Sequence, residues 1–166
     1  SDLRPIMVAD GEQPRYPLDE TQFNTPISNG PYPDKVIDAM SEVIAAGGVA
    51  LDVGSGRRAF GFERLIQVEI TNYPLTDVVN QNETLPFKTD SFDFVCSLAV
   101  TEHVSRPWDL VREIERVTRP GGLILVDSAF LQPLHGYPNH YFNMTAEGLR
   151  SLFESTDVIS LVPEAY

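Results

Sequence analysis

A glycine-containing run after an apolar segment is the first candidate for a binding site in this chain. The run DVGSG contains Asp52, Gly54, Ser55 and Gly56, and it ends an apolar segment that begins at residue 48. Glycine lets the backbone turn tightly and brings N–H groups close to a ligand, an approach that a Cβ atom would block. Glu69 ends the next apolar segment, where a carboxylate can accept both hydroxyls of a ribose. The pattern predicts a nucleoside site; the alternative is a plain β-turn with Glu69 in solvent.

The same glycines suggest a dinucleotide as an alternative ligand. Gly54, Gly56 and Ala59 satisfy the fingerprint G-x-G-x-x-G/A. That fingerprint requires a full helix after the turn and an acid about 20 residues further on. Only residues 54–64 separate the two apolar segments, and they look more like a loop than an amphipathic helix of about two turns. Because the connection is short and Glu69 comes too early, the sequence disfavours NAD.

The segments that must position this turn alternate between strands and helices. Apolar runs predict strands at 48–53, 65–70, 76–79, 92–100 and 122–130, with a further candidate at 157–162. Helical spacing predicts helices at 33–46, 108–117 and 145–154, the last capped by Thr145. Strands rich in Val, Ile and Leu that alternate with helices indicate a three-layer α/β fold with a mostly parallel sheet. In such a sheet the carboxyl ends of the strands share one edge, where ligands bind.

Several chemically versatile side chains are predicted to fill the core instead. Trp108 and the stripe Leu110, Val111 and Ile114 are expected to be core residues of the helix at 108–117. Cys96, the only cysteine, lies in an apolar run, so we expect a small buried side chain and not a nucleophile.

Composition and net charge limit the classes of molecule that this chain is expected to bind. The formal net charge of −12 argues against a nucleic-acid surface, because phosphate binding relies on clustered Lys and Arg. No apolar stretch reaches the roughly 18–20 residues that cross a bilayer, and no secretory signal opens the chain, so the sequence predicts a cytoplasmic protein that does not bind membranes. Residues 1–33 are rich in proline and predict an N-terminal arm or lid, with the folded domain at 34–166.

Two blocks of sequence carry a resemblance to a known family. ALDVGSG, followed by residues 83–127 (ETLPFKTDSFDFVCSLAVTEHVSRPWDLVREIERVTRPGGLILVD), resembles the class I S-adenosylmethionine (SAM)-dependent methyltransferases of the type 11 group. The resemblance extends from about residue 34 to 153 and implies a Rossmann-like fold. That family usually ends in an antiparallel strand pair, and the residues after 154 have room for only one such strand. The pair is therefore expected to be incomplete, as it would be in a piece of a larger polypeptide or complex.

The resemblance implies roles for individual positions in SAM binding. By this likeness Asp52, Gly54, Ser55 and Gly56 line the methionine end, and Glu69 holds the ribose. Gln81 and Asn82 stand where the family usually has an acid that contacts the adenine amino group, and Leu98 and Ala99 flank the transferring methyl.

The histidines are the candidates for a general base, which an oxygen nucleophile needs. His103 matches the E-H pair after the fourth strand, and His135 and His140 follow the fifth strand, where family members often build the acceptor pocket. The neighbouring aromatic side chains would stack on a sugar: Tyr137, Tyr141 and Phe142. The alternative is that these residues only cap a turn and stiffen a loop.

A metal site is a further alternative. His135 and His140 could join Glu102 or Asp127, but no ligand spacing matches a zinc pattern, so the sequence predicts no metal site. Two functions follow from the resemblance. The first is methyl transfer from SAM to a small-molecule or glycan acceptor. The second is a methyltransferase fold with a degenerate cofactor pocket, which binds or assembles without catalysis.

Overall fold

The computed structural model describes residues 31–58, 61–81, 83–136 and 139–161. The helices and strands within these ranges are, in chain order, α1 (Asp34–Ala45), β1 (Ala50–Val53), β2 (Leu65–Glu69), β3 (Val78–Val79), β4 (Phe92–Leu98), a short 3-10 helix (Thr101–His103), α2 (Pro107–Val117), β5 (Thr118–Asp127) and α3 (Ala146–Arg150).

The strands form one parallel sheet. Among the described residues it has five strands in the order β3-β2-β1-β4-β5. The central strand β1 pairs in parallel with both neighbours, so that Ala50 lies opposite Leu65 on one side and Phe94 on the other. The predicted α/β fold with a mostly parallel sheet is therefore confirmed. The carboxyl ends of β1, β2, β4 and β5 share one edge.

Helices cover both faces of the sheet. On one face α1 buries Val36 and Met40 against Ala50 and Phe94, and on the other α2 buries Leu110 with Leu51 of β1. Neighbouring residues of β1 therefore enter different cores, as the alternation of side chains along a strand requires. Each large apolar side chain buried in this way stabilises the fold by roughly 1.5–3 kcal/mol. The result is three layers, with α1 and α2 outside the sheet.

The connection from β1 to β2 is a loop as far as the structure describes it. Residues 54–58 and 61–64 contain no helix; 59 and 60 lie outside the described residues. Arg64 closes the loop with a left-handed backbone (φ 66°), and its guanidinium donates to the carbonyl oxygens of Gly47 and Gly48. The loop that the sequence predicted here is confirmed for the described part.

Two expectations about α2 and β5 were wrong. Strand β5 begins at Thr118 and not at residue 122, and a register shift lies where Thr118 pairs with Phe92 and Leu123 with Phe94. Pro120 is accommodated because β5 is the outermost strand of the described sheet, where a missing N–H is tolerated. Trp108 is 40% exposed instead of buried. It stands two residues before Leu110, about 200° around the helix, and so points away from the buried stripe.

The C-terminal segment is also less regular than predicted. The helix expected at 145–154 is only Ala146–Arg150, although Thr145 caps it as predicted by accepting the N–H of Gly148 at 3.0 Å. Residues 157–161 form no strand, and 162 lies outside the described residues. Val158 and Ile159 are 41% and 87% exposed, so no neighbouring strand covers them. The antiparallel strand pair is absent from the described part of the chain.

The proposed arm at 1–33 lies almost wholly outside the described residues, and the division at 34 stays a prediction. None of the helices in the described part of the chain is long and apolar enough to span a lipid bilayer.

Replacing Arg116 with methionine is expected to lower the free energy of unfolding by about 1–2 kcal/mol, because hydrogen bonds of a partly buried charged group are lost. Arg116 pairs with Glu113 and donates to the carbonyl oxygens of Leu85 and Phe87, which fixes the loop before β4. Denaturant unfolding measures the effect. Arg112→Met is the control, since Arg112 is 56% exposed and pairs only with Asp109 among the described residues; it should change stability by less than about 0.5 kcal/mol.

This effect should depend on pH. The Arg116 hydrogen bond holds the pKa of Glu113 below its ordinary value of 4.5. The difference in free energy of unfolding between wild type and Arg116→Met is therefore largest above pH 4.5, and it shrinks as the pH falls through the lowered pKa of Glu113. Equal losses in the Arg116 and Arg112 variants would contradict this role.

Candidate functional site

The glycine turn at the carboxyl end of β1 is held against two neighbouring strands. Gly54 and Gly56 have left-handed backbones (φ 76° and 67°), and the N–H groups of Gly54 and Ser55 donate to the carbonyl of Val68 at 2.9 and 3.0 Å. A Cβ atom on Gly54 would lie 2.4 Å from a methyl of Val100. The close approach that requires glycine at this position is therefore to Val100, a residue that the sequence did not single out.

Glu69 connects the turn to the end of β2. Its side chain is 8% exposed; one carboxylate oxygen accepts the N–H of Gly56 at 2.8 Å and the other accepts the N–H of Ile70 at 2.7 Å. Burial raises the pKa of Glu69, and these backbone hydrogen bonds partly lower it. A carboxylate oxygen can accept more than one hydrogen bond, so each keeps capacity for a hydroxyl. Glu69 is thus not the solvated side chain of a plain turn.

Asp52 belongs to a buried polar group that sequence reasoning missed. Its side chain is fully buried, and one oxygen accepts the Tyr32 hydroxyl at 2.6 Å and lies 3.9 Å from the Arg58 guanidinium. Arg58 also stacks over the Tyr32 ring, 4.3 Å from its centroid. Burial raises the pKa of Asp52, whereas Tyr32 and then Arg58 lower it. A buried carboxylate in a strand needs a hydrogen-bond donor or a positive charge beside it. A nearby arginine in the sequence, Arg58, could have been predicted as that partner for this reason.

The remaining residues predicted for SAM binding lie at the ends of β3 and β4. Leu98 is half-buried and Ala99 exposed, and Ala99 has a left-handed backbone (φ 53°) that is uncommon for residues other than glycine. Its N–H donates to the carbonyl of Asp127 at 3.2 Å, which joins β4 to β5 at this edge. Gln81 is exposed just after β3, and Asn82 lies outside the described residues. Strained positions of this kind cluster at functional sites.

The three histidines come together beside this edge. His103 belongs to the 3-10 helix after β4, and His135 and His140 follow β5. The ring centroids of His103 and His135 are 5.0 Å apart, and those of His135 and His140 are 4.3 Å apart. The backbone joins the two loops, because the N–H of Tyr141 donates to the carbonyl of Glu102 at 2.7 Å.

The hydrogen bonds of the rings distinguish their roles. Nδ1 of His140 accepts the N–H of His135 at 3.1 Å, so Nε2 carries the proton and faces the carbonyl of Phe142 at 3.0 Å. In His103 and His135, by contrast, Nδ1 meets a backbone carbonyl and Nε2 has no hydrogen-bond partner among the described residues. Burial lowers the pKa of His103, which favours the neutral form of its imidazole. His103 and His135 are therefore better placed as proton acceptors than His140.

The predicted positions thus form two neighbouring groups. The glycine turn and Glu69 are joined directly, and the histidines form the second group around the loops after β4 and β5. Of the aromatic residues predicted beside the histidines, Tyr141 is 48% exposed and Phe142 is half-buried, while Tyr137 lies outside the described residues.

Comparison with known proteins identifies the domain that carries this edge. Residues 51–126, which include the glycine turn, Glu69 and the end of β4, match the family described as a methyltransferase domain. The strand order β3-β2-β1-β4-β5 is that of the first five strands of a Rossmann sheet. Residues 51–126 belong to a class I SAM-dependent methyltransferase domain. The resemblance given by the sequence alone is therefore confirmed, and the family of this methyltransferase domain implies SAM as its cofactor.

The relatives of this methyltransferase domain match only part of it. An uncharacterized methyltransferase of Mycobacterium tuberculosis is 46% identical over 61 residues, which are 34% of this chain and 24% of the relative. One of Mycobacterium marinum is 49% identical over a stretch of the same length. The chain thus spans about a quarter of the length of these relatives. Among solved structures, the [4+2]-cyclase SpnF is similar with a TM-score of 0.50 and 20% identity, covering 72% of this chain and 56% of SpnF, which supports the fold alone.

Proposed function

We propose that this methyltransferase domain transfers a methyl group from SAM to a small-molecule or sugar-linked acceptor. The observation that supports it most is the buried carboxylate of Glu69. It is fixed by the N–H groups of Gly56 and Ile70, at the end of the strand next to the glycine turn, and it retains capacity for two hydroxyl donors. A ribose offers such a pair of hydroxyls.

The residues of this edge fit SAM in the following way. Gly54 and Gly56 present no Cβ atom, so the backbone of the turn can come close to the methionine end of the cofactor. Bound SAM supplies an electrophilic methyl group on a sulfonium. The protein's contribution is to hold the acceptor in line and to exclude water. Nε2 of His103 or His135 would take the proton of a hydroxyl acceptor.

The surface around the histidines favours an uncharged acceptor with apolar faces. Four apolar side chains that follow β5 are well exposed: Phe130 (46%), Leu131 (84%), Leu134 (72%) and Tyr141 (48%). Such side chains contact the rings of small molecules or sugars. The net charge of −12 works against a polyanionic acceptor such as nucleic acid.

The second candidate is a module that binds or assembles without catalysis. It is favoured by the connection between β1 and β2, whose described residues contain no helix to cover one side of the cofactor. It is also favoured by Gln81, an exposed amide where the family usually has an acid.

Calorimetric titration with SAM and S-adenosylhomocysteine separates the two candidates. The catalytic proposal expects heat and a single binding site for both compounds. No heat at high concentrations of folded protein would exclude it in favour of the non-catalytic module.

Replacing Glu69 with alanine is expected to weaken SAM binding by about 10- to 100-fold, because two hydrogen bonds from the ribose to a charged acceptor are lost. Glu69→Gln should weaken it less, since an amide oxygen still accepts. Asp38→Asn on the exposed side of α1 is the matched control and should leave the dissociation constant unchanged. Unchanged affinity in Glu69→Ala, with circular dichroism like the wild type, would refute the ribose assignment.

A further inference from the structure

We propose that Glu102, His103 and His135 form a binding site for a divalent transition-metal cation. Each of the three residues offers one ligand atom, and these atoms all lie within 4.8 Å of one another. They come from the 3-10 helix after β4 and the loop after β5, beside the edge where the acceptor is proposed to bind.

The donor set is one that metals of this class prefer. Two imidazoles and one carboxylate bind Zn²⁺, Mn²⁺, Fe²⁺ and Co²⁺, whereas Mg²⁺ and Ca²⁺ prefer oxygen ligands alone. Three protein ligands leave coordination positions for water or for an oxygen of another molecule, as in catalytic and not structural zinc sites. A bound cation would occupy the Nε2 lone pairs of His103 and His135, so their role as proton acceptors applies to the metal-free site.

Both histidines are already oriented as metal ligands usually are. Nδ1 of His103 lies 2.7 Å from the carbonyl oxygen of Asn139, and Nδ1 of His135 lies 3.0 Å from that of Pro133. A carbonyl only accepts, so each Nδ1 carries the proton and each Nε2 presents a lone pair. Ligating histidines in metal sites are held by the same kind of hydrogen bond from the other ring nitrogen.

Glu102 supplies the independent observation. Its side chain is fully buried, and neither carboxylate oxygen has a hydrogen bond of good geometry from the described residues. Burial raises the pKa of Glu102, and the N–H groups of Glu102 itself and Ala129 are near enough only to lower it in part. A buried carboxylate is costly unless an opposite charge lies beside it, and a cation among these three residues would provide that charge.

The third histidine has a different part. His140 lies next to His135, but its Nδ1 accepts the N–H of His135 and its Nε2 faces the carbonyl of Phe142. His140 therefore holds the backbone of His135, which is a proposed metal ligand, and does not bind the metal itself. The sequence considered His135 and His140 with Glu102 or Asp127 and predicted no metal site; the proposed ligand set keeps Glu102 and His135 and has His103 in place of His140.

The test uses the full chain without a polyhistidine tag, freed of metal by a chelator and titrated with Co²⁺ and then Zn²⁺ in the absence of SAM. We expect one equivalent of Co²⁺ to give visible absorption bands that Zn²⁺ abolishes, and calorimetry to give the same stoichiometry. Because SAM is left out, this result does not depend on the proposed function.

Variants assign the ligands. Glu102→Gln and His135→Asn should each weaken Zn²⁺ binding by at least about 100-fold, since losing a ligand exceeds the loss of a supporting group. His140→Asn, whose amide oxygen can still accept the N–H of His135, should change it by less than about tenfold. Glu102→Gln removes a buried charge and should remain folded without metal. Absence of Co²⁺ bands in the wild type, or equal losses in the His135 and His140 variants, would overturn the proposal.

Discussion

Replacing Gly54 with alanine is expected to lower the free energy of unfolding by about 2–5 kcal/mol. About 1–2 kcal/mol comes from forcing a residue with a Cβ atom into the left-handed backbone at φ 76°. About 1–3 kcal/mol more comes from overpacking, because the new methyl would lie 2.4 Å from a methyl of Val100. Denaturant unfolding measures the loss, and calorimetry with SAM should show weaker binding because the turn is displaced.

Gly47 is the matched control for this variant. It has a similar left-handed backbone (φ 85°), but a Cβ atom there would meet nothing within 4 Å. Gly47→Ala should therefore cost only the backbone part, about 1–2 kcal/mol. Adding Val100→Ala to Gly54→Ala should make the double variant less unstable than the sum of the two single changes. Equal losses at Gly47 and Gly54 would show that the contact with Val100 does not matter.

Replacing Asp52 with alanine is expected to lower the free energy of unfolding by about 3–5 kcal/mol, the usual result of removing one member of a buried charged group. The variant removes the carboxylate that accepts the Tyr32 hydroxyl and lies beside the Arg58 guanidinium. Tyr32→Phe removes only the hydroxyl and should cost about 1.5–3 kcal/mol, as hydrogen bonds to charged groups do. Glu147→Ala, an exposed member of a surface pair, should stay within about 0.5 kcal/mol of wild type.

The Asp52 carboxyl should also give stability a pH dependence. Burial raises its pKa above 3.8, so the folded state holds this proton more tightly than the unfolded state does. The stability that this tighter proton binding adds to the folded state is fully present below pH 3.8, and it is lost as the pH rises through the raised pKa of Asp52. The free energy of unfolding of wild type relative to Asp52→Asn should therefore fall as the pH rises from about 4. A difference that grows with pH would mean that Arg58 and Tyr32 outweigh burial.

These two residues are neighbours in one turn but stabilise it differently. Gly54 is required because the backbone there lies too close to Val100 for a Cβ atom. Asp52 is required because its carboxylate accepts the hydroxyl of the buried Tyr32. The loop after the turn lacks a helix in its described residues, so these contacts replace part of the support that a helix would give. Variants that weaken either contact should therefore reduce SAM binding together with stability.

The sequence allowed the grouping of the three histidines to be predicted, but not their individual roles. The sequence proposed His103, His135 and His140 as a group on the strength of a family resemblance. Their individual roles depend on which ring nitrogen meets a backbone carbonyl, and those carbonyls belong to loop residues as far away as Asn139. Spacing along the chain carries no information about such contacts, so the metal-ligand arrangement of His103 and His135 with Glu102 could not be predicted.

The sequence by itself determined the parallel sheet, the glycine turn and the position of Glu69, because apolar runs and glycine turns are signals of a few neighbouring residues. The tertiary structure decided the rest. Tyr32 reaches Asp52 across 20 positions of sequence, and Trp108 is exposed because only one side of α2 meets the sheet. A buried charge or an unpaired carboxylate is defined by everything that surrounds it in space, and the chain order does not specify those surroundings.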